Sequence, residues 1–239
     1  MNDVLREQTF HEIRRWVHEG RLSEAELDQC VLPVLRMKAE QGLFSDGGCV
    51  DAAAAQACFA DPAIADVGRQ VAQLAVTTLW DPAGLLPLRG RVLCIEQLII
   101  PEFMPENQHY HSFAEALFRH SHDMLNMDCA FQATDEEVRM ACGLAETVDT
   151  VLMTNWYWRI QPENNGHLIA ALCAAGKRVV VVTNNPYPMG ADPAADAVVC
   201  TYGVVPHCLQ AAAAVLHGAA PSRGRWPLEH TPAPTPEPA

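Results

Sequence analysis

No apolar run in this sequence approaches the roughly 20 residues that a membrane-spanning helix needs, and the polar opening MNDVLREQTFHEIRRW has no signal-peptide core. The chain therefore reads as cytoplasmic. Basic residues are scarce, with 16 Lys and Arg against 29 Asp and Glu and a net charge of −13. That balance repels phosphate backbones and anionic headgroups, so neither nucleic acid nor a membrane surface is an expected partner. Phosphate-cradling loops are missing as well. Neither G-x-G-x-x-G nor a Walker pattern occurs, which disfavours a nucleotide-dependent dehydrogenase or kinase and leaves no cofactor to expect. There is no G-x-S-x-G elbow on which to base a serine hydrolase. The nine cysteines form no C-x-x-C pair and fall largely in apolar stretches, so they read as reduced core thiols. His109, His111, His120 and His122 crowd one short span, but no carboxylate or cysteine stands beside them at ligand spacing. No metal site is expected.

The chain does contain enough to bury a core. Its 239 residues, 49% hydrophobic and 19% charged, suit one α/β core with appendages. Residues 3–18 repeat apolar side chains at helical spacing, with Phe10, Ile13 and Val17 on one face. Ser23 and Glu26 form a capping box for a second helix that ends near Gly42, with Pro33 placed to kink or split it. The Gly-, Ala- and Asp-rich stretch 44–60 reads as a linker. From Asp61-Pro62 the pattern changes. Short apolar runs at 76–80, 92–95, 124–127, 148–153, 179–183 and 197–200 are mostly separated by helical segments. Those helices are signalled by the capping pairs Ser112/Glu115 and Thr134/Glu137 and by Pro162 and Pro206 at helix starts.

That alternation predicts an α/β fold: an open, mainly parallel, doubly wound sheet with helices on both faces, preceded by a two-helix segment. The run Val179-Val180-Val181-Val182 does not alternate in polarity, as expected of a central strand buried on both sides. The domain reading is a helical segment over 1–43, a linker over 44–60, the α/β domain over 61–228 and a disordered, proline-rich tail over 229–239.

In such sheets ligands bind beyond the carboxyl ends of the strands. Those ends are polar and aromatic here, which makes Asn155, Trp156, Trp158, Arg159, Asn184, Asn185, Tyr187 and Tyr202 the candidates for contact with a substrate or a protein neighbour. The string Asn155-Trp156-Tyr157-Trp158-Arg159 can stack on and hydrogen-bond a sugar ring, and it equally carries the composition of an interface. Asn184-Asn185-Pro186-Tyr187-Pro188 also reads as turn chemistry.

Four segments in succession carry a resemblance. They are VLRMK with GLF (34–38 and 42–44), 79–88 ending in LLPL, VVVVTNNPY (179–187), and TYG with LHG and RGRWPL (201–203, 216–218 and 223–228). In order and placement they resemble the C-terminal α/β domain of family 3 glycoside hydrolases, most closely the β-N-acetylglucosaminidase branch. Trp226 replaces a smaller aliphatic residue, Asn184-Asn185 a more basic pair, and Pro33 interrupts a helix normally left intact. The resemblance implies that the first helices close a catalytic (β/α)8 barrel. That barrel carries the nucleophilic aspartate and, in the acetylglucosaminidase branch, the acid/base histidine-aspartate pair.

No residue of this sequence matches that barrel machinery, so no catalytic residue is assigned. Glu102, Glu106 and Glu163 lie near strand ends, where the β-glucosidase branch lends an acid/base glutamate, and each is more simply a solvated loop carboxylate. The expected function is that of an accessory domain acting on amino-sugar glycans with a (β/α)8 barrel partner, and carbohydrate is the candidate ligand. Two alternatives stay open: a non-catalytic sugar-binding or regulatory protein, and a fragment of a longer glycosidase.

Overall fold

A computed structural model describes residues 3–45, 48–98, 112–157 and 165–226. The chain divides into two compact units, Met1–Asp61 and Pro62–Ala239.

The first unit is helical. Helix α1 spans Asp3–His18 and α2 spans Glu24–Glu40. The capping box forms as its sequence predicts: Ser23 Oγ accepts from the Glu26 amide at 3.2 Å, and the Glu26 carboxylate accepts from the Ser23 amide at 2.9 Å. Donation from the Ser23 amide, and then from the Ser23 hydroxyl at 2.7 Å, holds the Glu26 carboxyl below the ordinary glutamate range. Pro33 does not split α2, which runs unbroken through it. Within 44–60 lies a further short helix, α3 (Ala52–Phe59). It forms because Asp51 caps the Ala54 amide at 2.7 Å and the alanine-rich sequence that follows favours helix. Neither α2 nor α3 has a buried residue. Phe10, Leu32, Met37 and Phe44 are each more than half exposed.

The second unit begins with α4 (Pro62–Ala75), followed by β1 (Thr77–Trp80), β2 (Val92–Gln97) and α5 (Phe113–Phe118). Next come β3 (Met124–Cys129), α6 (Asp135–Ala145), β4 (Thr150–Thr154) and α7 (Gly166–Ala174). The last elements are β5 (Arg178–Thr183), β6 (Ala197–Cys200) and α8 (Pro206–Leu216). Pro162, read as a helix start, lies outside the described residues.

The six strands lie in the order β1-β6-β5-β4-β2-β3, parallel except for β1, which runs antiparallel to β6. Because side chains alternate across a strand, Val180 and Val182 face one core and Val179 and Val181 the other. The first core is closed by Ala72 of α4, Phe113 and Leu117 of α5, and Leu209, Ala212 and Leu216 of α8. The second is closed by Ala141 and Ala145 of α6 and by Leu168, Ile169 and Leu172 of α7. The fold is therefore the open, doubly wound α/β architecture expected of the sequence.

On α4, however, Ile64, Val67, Val71 and Leu74 remain 50–59% exposed. Their spacing places them on one stripe of the helix.

Candidate functional site

The chain crosses from β2 to β3 on one side and then from β3 back past β2 to β4 on the other, so the crevice of an open sheet belongs at the carboxyl ends of β2 and β4. In this chain that place is filled by its own side chains. Gln97, fully buried, receives the Trp156 amide on its side-chain oxygen and gives its side-chain NH2 to the Phe131 carbonyl. Its backbone amide donates to Thr154 Oγ1 at 2.7 Å. Asn155 Oδ1 accepts from the Asn165 amide at 3.2 Å, and Asn155 Nδ2 donates to the Gly190 carbonyl at 2.8 Å. Asn165 in turn accepts from the Ala133 amide at 2.8 Å and donates to the Phe131 carbonyl at 3.1 Å. This network ties loose backbone groups to buried side chains, which is how a loop can be buried without unsatisfied polar atoms.

Beside the network, buried Glu96 accepts from Ser112 Oγ at 2.7 Å, from the Phe113 amide and from the Ala114 amide at 3.1 Å. It thereby caps α5. Its lone pairs are spent on donors, so it serves as a structural acceptor and not as an acid positioned to protonate a leaving group.

The described candidates separate into two places. Asn155 and Trp156 are walled in, Asn155 by the network and Trp156 by core packing with an edge-on ring contact to Phe113. Asn184, Asn185, Tyr187 and Tyr202 lie at the ends of β5 and β6. Asn184 accepts from the Tyr157 amide at 2.9 Å and donates to the Tyr157 carbonyl at 3.2 Å, while Asn185 Oδ1 accepts from the Tyr187 amide at 2.8 Å. Tyr187 and Tyr202 are 48% and 42% exposed as residues. Trp158 and Arg159 lie outside the described residues, as do Glu102, Glu106 and Glu163. Glu96, Gln97, Thr154 and Asn165 escaped the sequence reading. Gln97 lies beyond the apolar run 92–95, and only the strand's continuation through it reveals the burial.

Among the described residues no group of three His, Cys, Asp or Glu could hold a metal ion. His120 stacks on His217 with ring centroids 5.5 Å apart, and burial followed by the neighbouring His217 lowers its pKa. All nine cysteines are free thiols. Burial pushes the Cys129 and Cys200 thiols up to about 12 and raises Cys94 well above the ordinary range, so none of the three supplies a thiolate nucleophile. Iodoacetamide at about pH 8 is expected to label exposed Cys30, Cys49 and Cys58 while leaving Cys94, Cys129 and Cys200 unlabelled until the chain unfolds. Peptide mass spectrometry checks this, and early labelling of Cys129 counts against the packed core.

No family model matches the chain. A curated relative, the beta-N-acetylglucosaminidase/beta-glucosidase of Cellulomonas fimi, is 26% identical over 245 aligned positions that cover 93% of this chain. The chain resembles the family 3 glycoside hydrolases. Among solved structures, a family 3 β-N-acetylglucosaminidase from Paenibacillus sp. shares the fold with a TM-score of 0.61 at 22% identity, over 92% of this chain. A β-glucosidase from Listeria innocua in complex with isofagomine does so at 0.61 and 18%, over 88% of this chain. A β-glucosidase involved in saponin metabolism from intestinal bacteria reaches 0.64 at 16%, over 91% of this chain. The chain spans only 42% of the Cellulomonas relative and 41%, 33% and 40% of the three solved chains. Among the described residues no helix is long and apolar enough to cross a membrane.

Proposed function

We propose that this chain acts as the C-terminal α/β domain of a family 3, β-N-acetylglucosaminidase-like glycosidase, on β-linked amino-sugar glycans, together with a (β/α)8 barrel carried on the same polypeptide or another chain. The observation that carries this reading is the unburied apolar surface of the helices. A two-helix segment with no buried residue in α2, and a four-residue apolar stripe on α4, are surfaces that call for a partner. In this reading residues 1–43 complete the barrel and 44–60 connect it to the α/β domain, while the tail read over 229–239 lies outside the described residues. The nine free thiols support a cytoplasmic location, where cysteines stay reduced.

The chemistry agrees. Glycoside hydrolysis with retention requires one group to attack the anomeric carbon and another to protonate the leaving oxygen. Among the described strand-end residues, Glu96 is committed to α5 and the side-chain amides of Asn155, Gln97 and Asn165 to neighbouring backbone. Catalysis then falls to the barrel, and this domain orders what surrounds it.

The test combines this chain with a family 3 barrel protein and follows chromophore release from an aryl β-N-acetylglucosaminide. Stimulation of the barrel by about tenfold or more, with none from this chain alone, is the expected result. Hydrolysis by this chain alone overturns the proposal.

A further inference from the structure

Three aromatic side chains lie at the β5–β6 end of the sheet, outside the network that fills the crevice. Tyr187 and Tyr202 expose nearly half their surface, and Trp226 meets the Tyr187 ring edge to face, with centroids 6.0 Å apart and planes at 82°. The backbone beneath them is pinned. Asn185 Oδ1 takes the Tyr187 amide at 2.8 Å, and the Tyr187 carbonyl accepts from the amides of Gly190 at 2.9 Å and Ala191 at 2.8 Å. The segment leading to Trp226 is fixed where Ser222 Oγ accepts from the Thr78 amide at 2.8 Å and the Gly224 amide donates to the Val76 carbonyl at 2.9 Å.

Tyr202 is held as firmly. Its hydroxyl reaches Thr77 Oγ1 at 3.3 Å, beside the place where Gly224 packs on Thr77. It is also the non-glycine residue with positive φ, at 56°, among those described. A bulky side chain in that conformation costs free energy and persists where its surroundings dictate it, often at a ligand site.

We propose that the perpendicular pair Tyr187 and Trp226, with Tyr202 at the same end of the sheet, forms a carbohydrate site in which an exposed ring face stacks on a pyranose ring of a neutral β-linked glycan. Rigid aromatic faces with polar tips match a sugar, whose axial C–H groups lie on a ring face and whose hydroxyls ring its edge. Arg223 and Arg225, both exposed in the same segment, are donors for those hydroxyls. A neutral sugar meets no repulsion from the chain's acidic surplus. Because the backbone is already ordered, binding loses little conformational entropy. The choice of an amino sugar rests on the reading given above, but the site needs no barrel.

The experiment titrates the full 239-residue chain with the β-1,4-linked trimer of N-acetylglucosamine, read by tryptophan fluorescence and by calorimetry. A saturable signal with a dissociation constant of about 1 mM or tighter is expected. Tyr187→Ala and Trp226→Ala each weaken it about tenfold, Trp226→Phe retains part of it, and Phe118→Ala, at an exposed aromatic on α5, leaves it unchanged. Absence of saturation, or binding that survives both alanine variants, overturns the proposal. So does protection of Tyr187 and Trp226 only when a barrel protein is added, since that makes the rings a protein interface. If hydrolysis with a barrel succeeds while this titration fails, only the platform falls.

Discussion

Glu96→Ala lowers the unfolding free energy by about 4 kcal/mol, and the midpoint of thermal unfolding falls by about 10 °C. The size follows from what the side chain does. It is 1% exposed, and its oxygens accept from Ser112 Oγ and from the amides of Phe113 and Ala114, which are themselves buried at the start of α5. The first amides of a helix have no partner within the helix. Truncation therefore leaves two buried N–H groups without an acceptor, each costing about 1–3 kcal/mol, and opens a cavity as well. Glu96→Gln keeps the volume but turns an NH2 toward these donors, so a loss of about 2 kcal/mol is expected. Denaturant unfolding of the two variants checks the order. A loss below about 1 kcal/mol for Glu96→Ala means that α5 does not depend on this carboxylate.

The sheet was legible because its signals are local. The runs at 92–95, 179–183 and 197–200 are apolar enough to be buried on both faces, and capping pairs such as Thr134/Glu137 mark helix starts independently of any packing. The antiparallel pairing of β1 with β6 has no such local mark. It depends on which edge of the sheet the chain reaches, and Thr77↔Cys200 is a contact across more than half the chain. Helix α3 was hidden for another reason. Its Ala- and Asp-rich sequence has linker composition, and only the Asp51 cap distinguishes a helix start from a turn there.

The site was legible in outline only. Its place, beyond the carboxyl ends of the strands, follows from topology. The roles of Asn155 and Trp156 do not, because an amide or indole reads the same whether it faces a ligand or a backbone carbonyl. What decides is distant partners: Asn155 meets Gly190 across 35 residues and Gln97 meets the Trp156 amide across 59. Trp226 could be found by one signal, a large ring in place of an expected small aliphatic. Its partner Tyr187, on another loop, could not be inferred from that.

Gly190→Ala tests the link between this network and the aromatic platform, with an expected loss of about 3 kcal/mol in stability together with the loss of glycan binding. A Cβ at position 190 would meet Thr183 Oγ1, the Asn185 carbonyl oxygen at 2.6 Å and Asn185 Cβ at 2.9 Å. All three atoms belong to a turn already closed on itself by hydrogen bonds between Asn185 and Thr183 Oγ1, so relief must come from moving backbone. That movement reaches Asn155 through the 2.8 Å bond to the Gly190 carbonyl, and Tyr187 through the Gly190 amide. Gly143→Ala is the counterpart. It lies within α6 with nothing within 4 Å of its added Cβ, so the change is expected to stabilise the chain by about 0.5–1 kcal/mol and leave glycan binding intact. Opposite signs for two chemically identical substitutions, read by thermal unfolding and by titration with the N-acetylglucosamine trimer, separate the cost of a lost cradle from any general effect of removing glycine. Equal effects at the two positions, or glycan binding that survives Gly190→Ala, break the proposed link between the buried amides and the exposed rings.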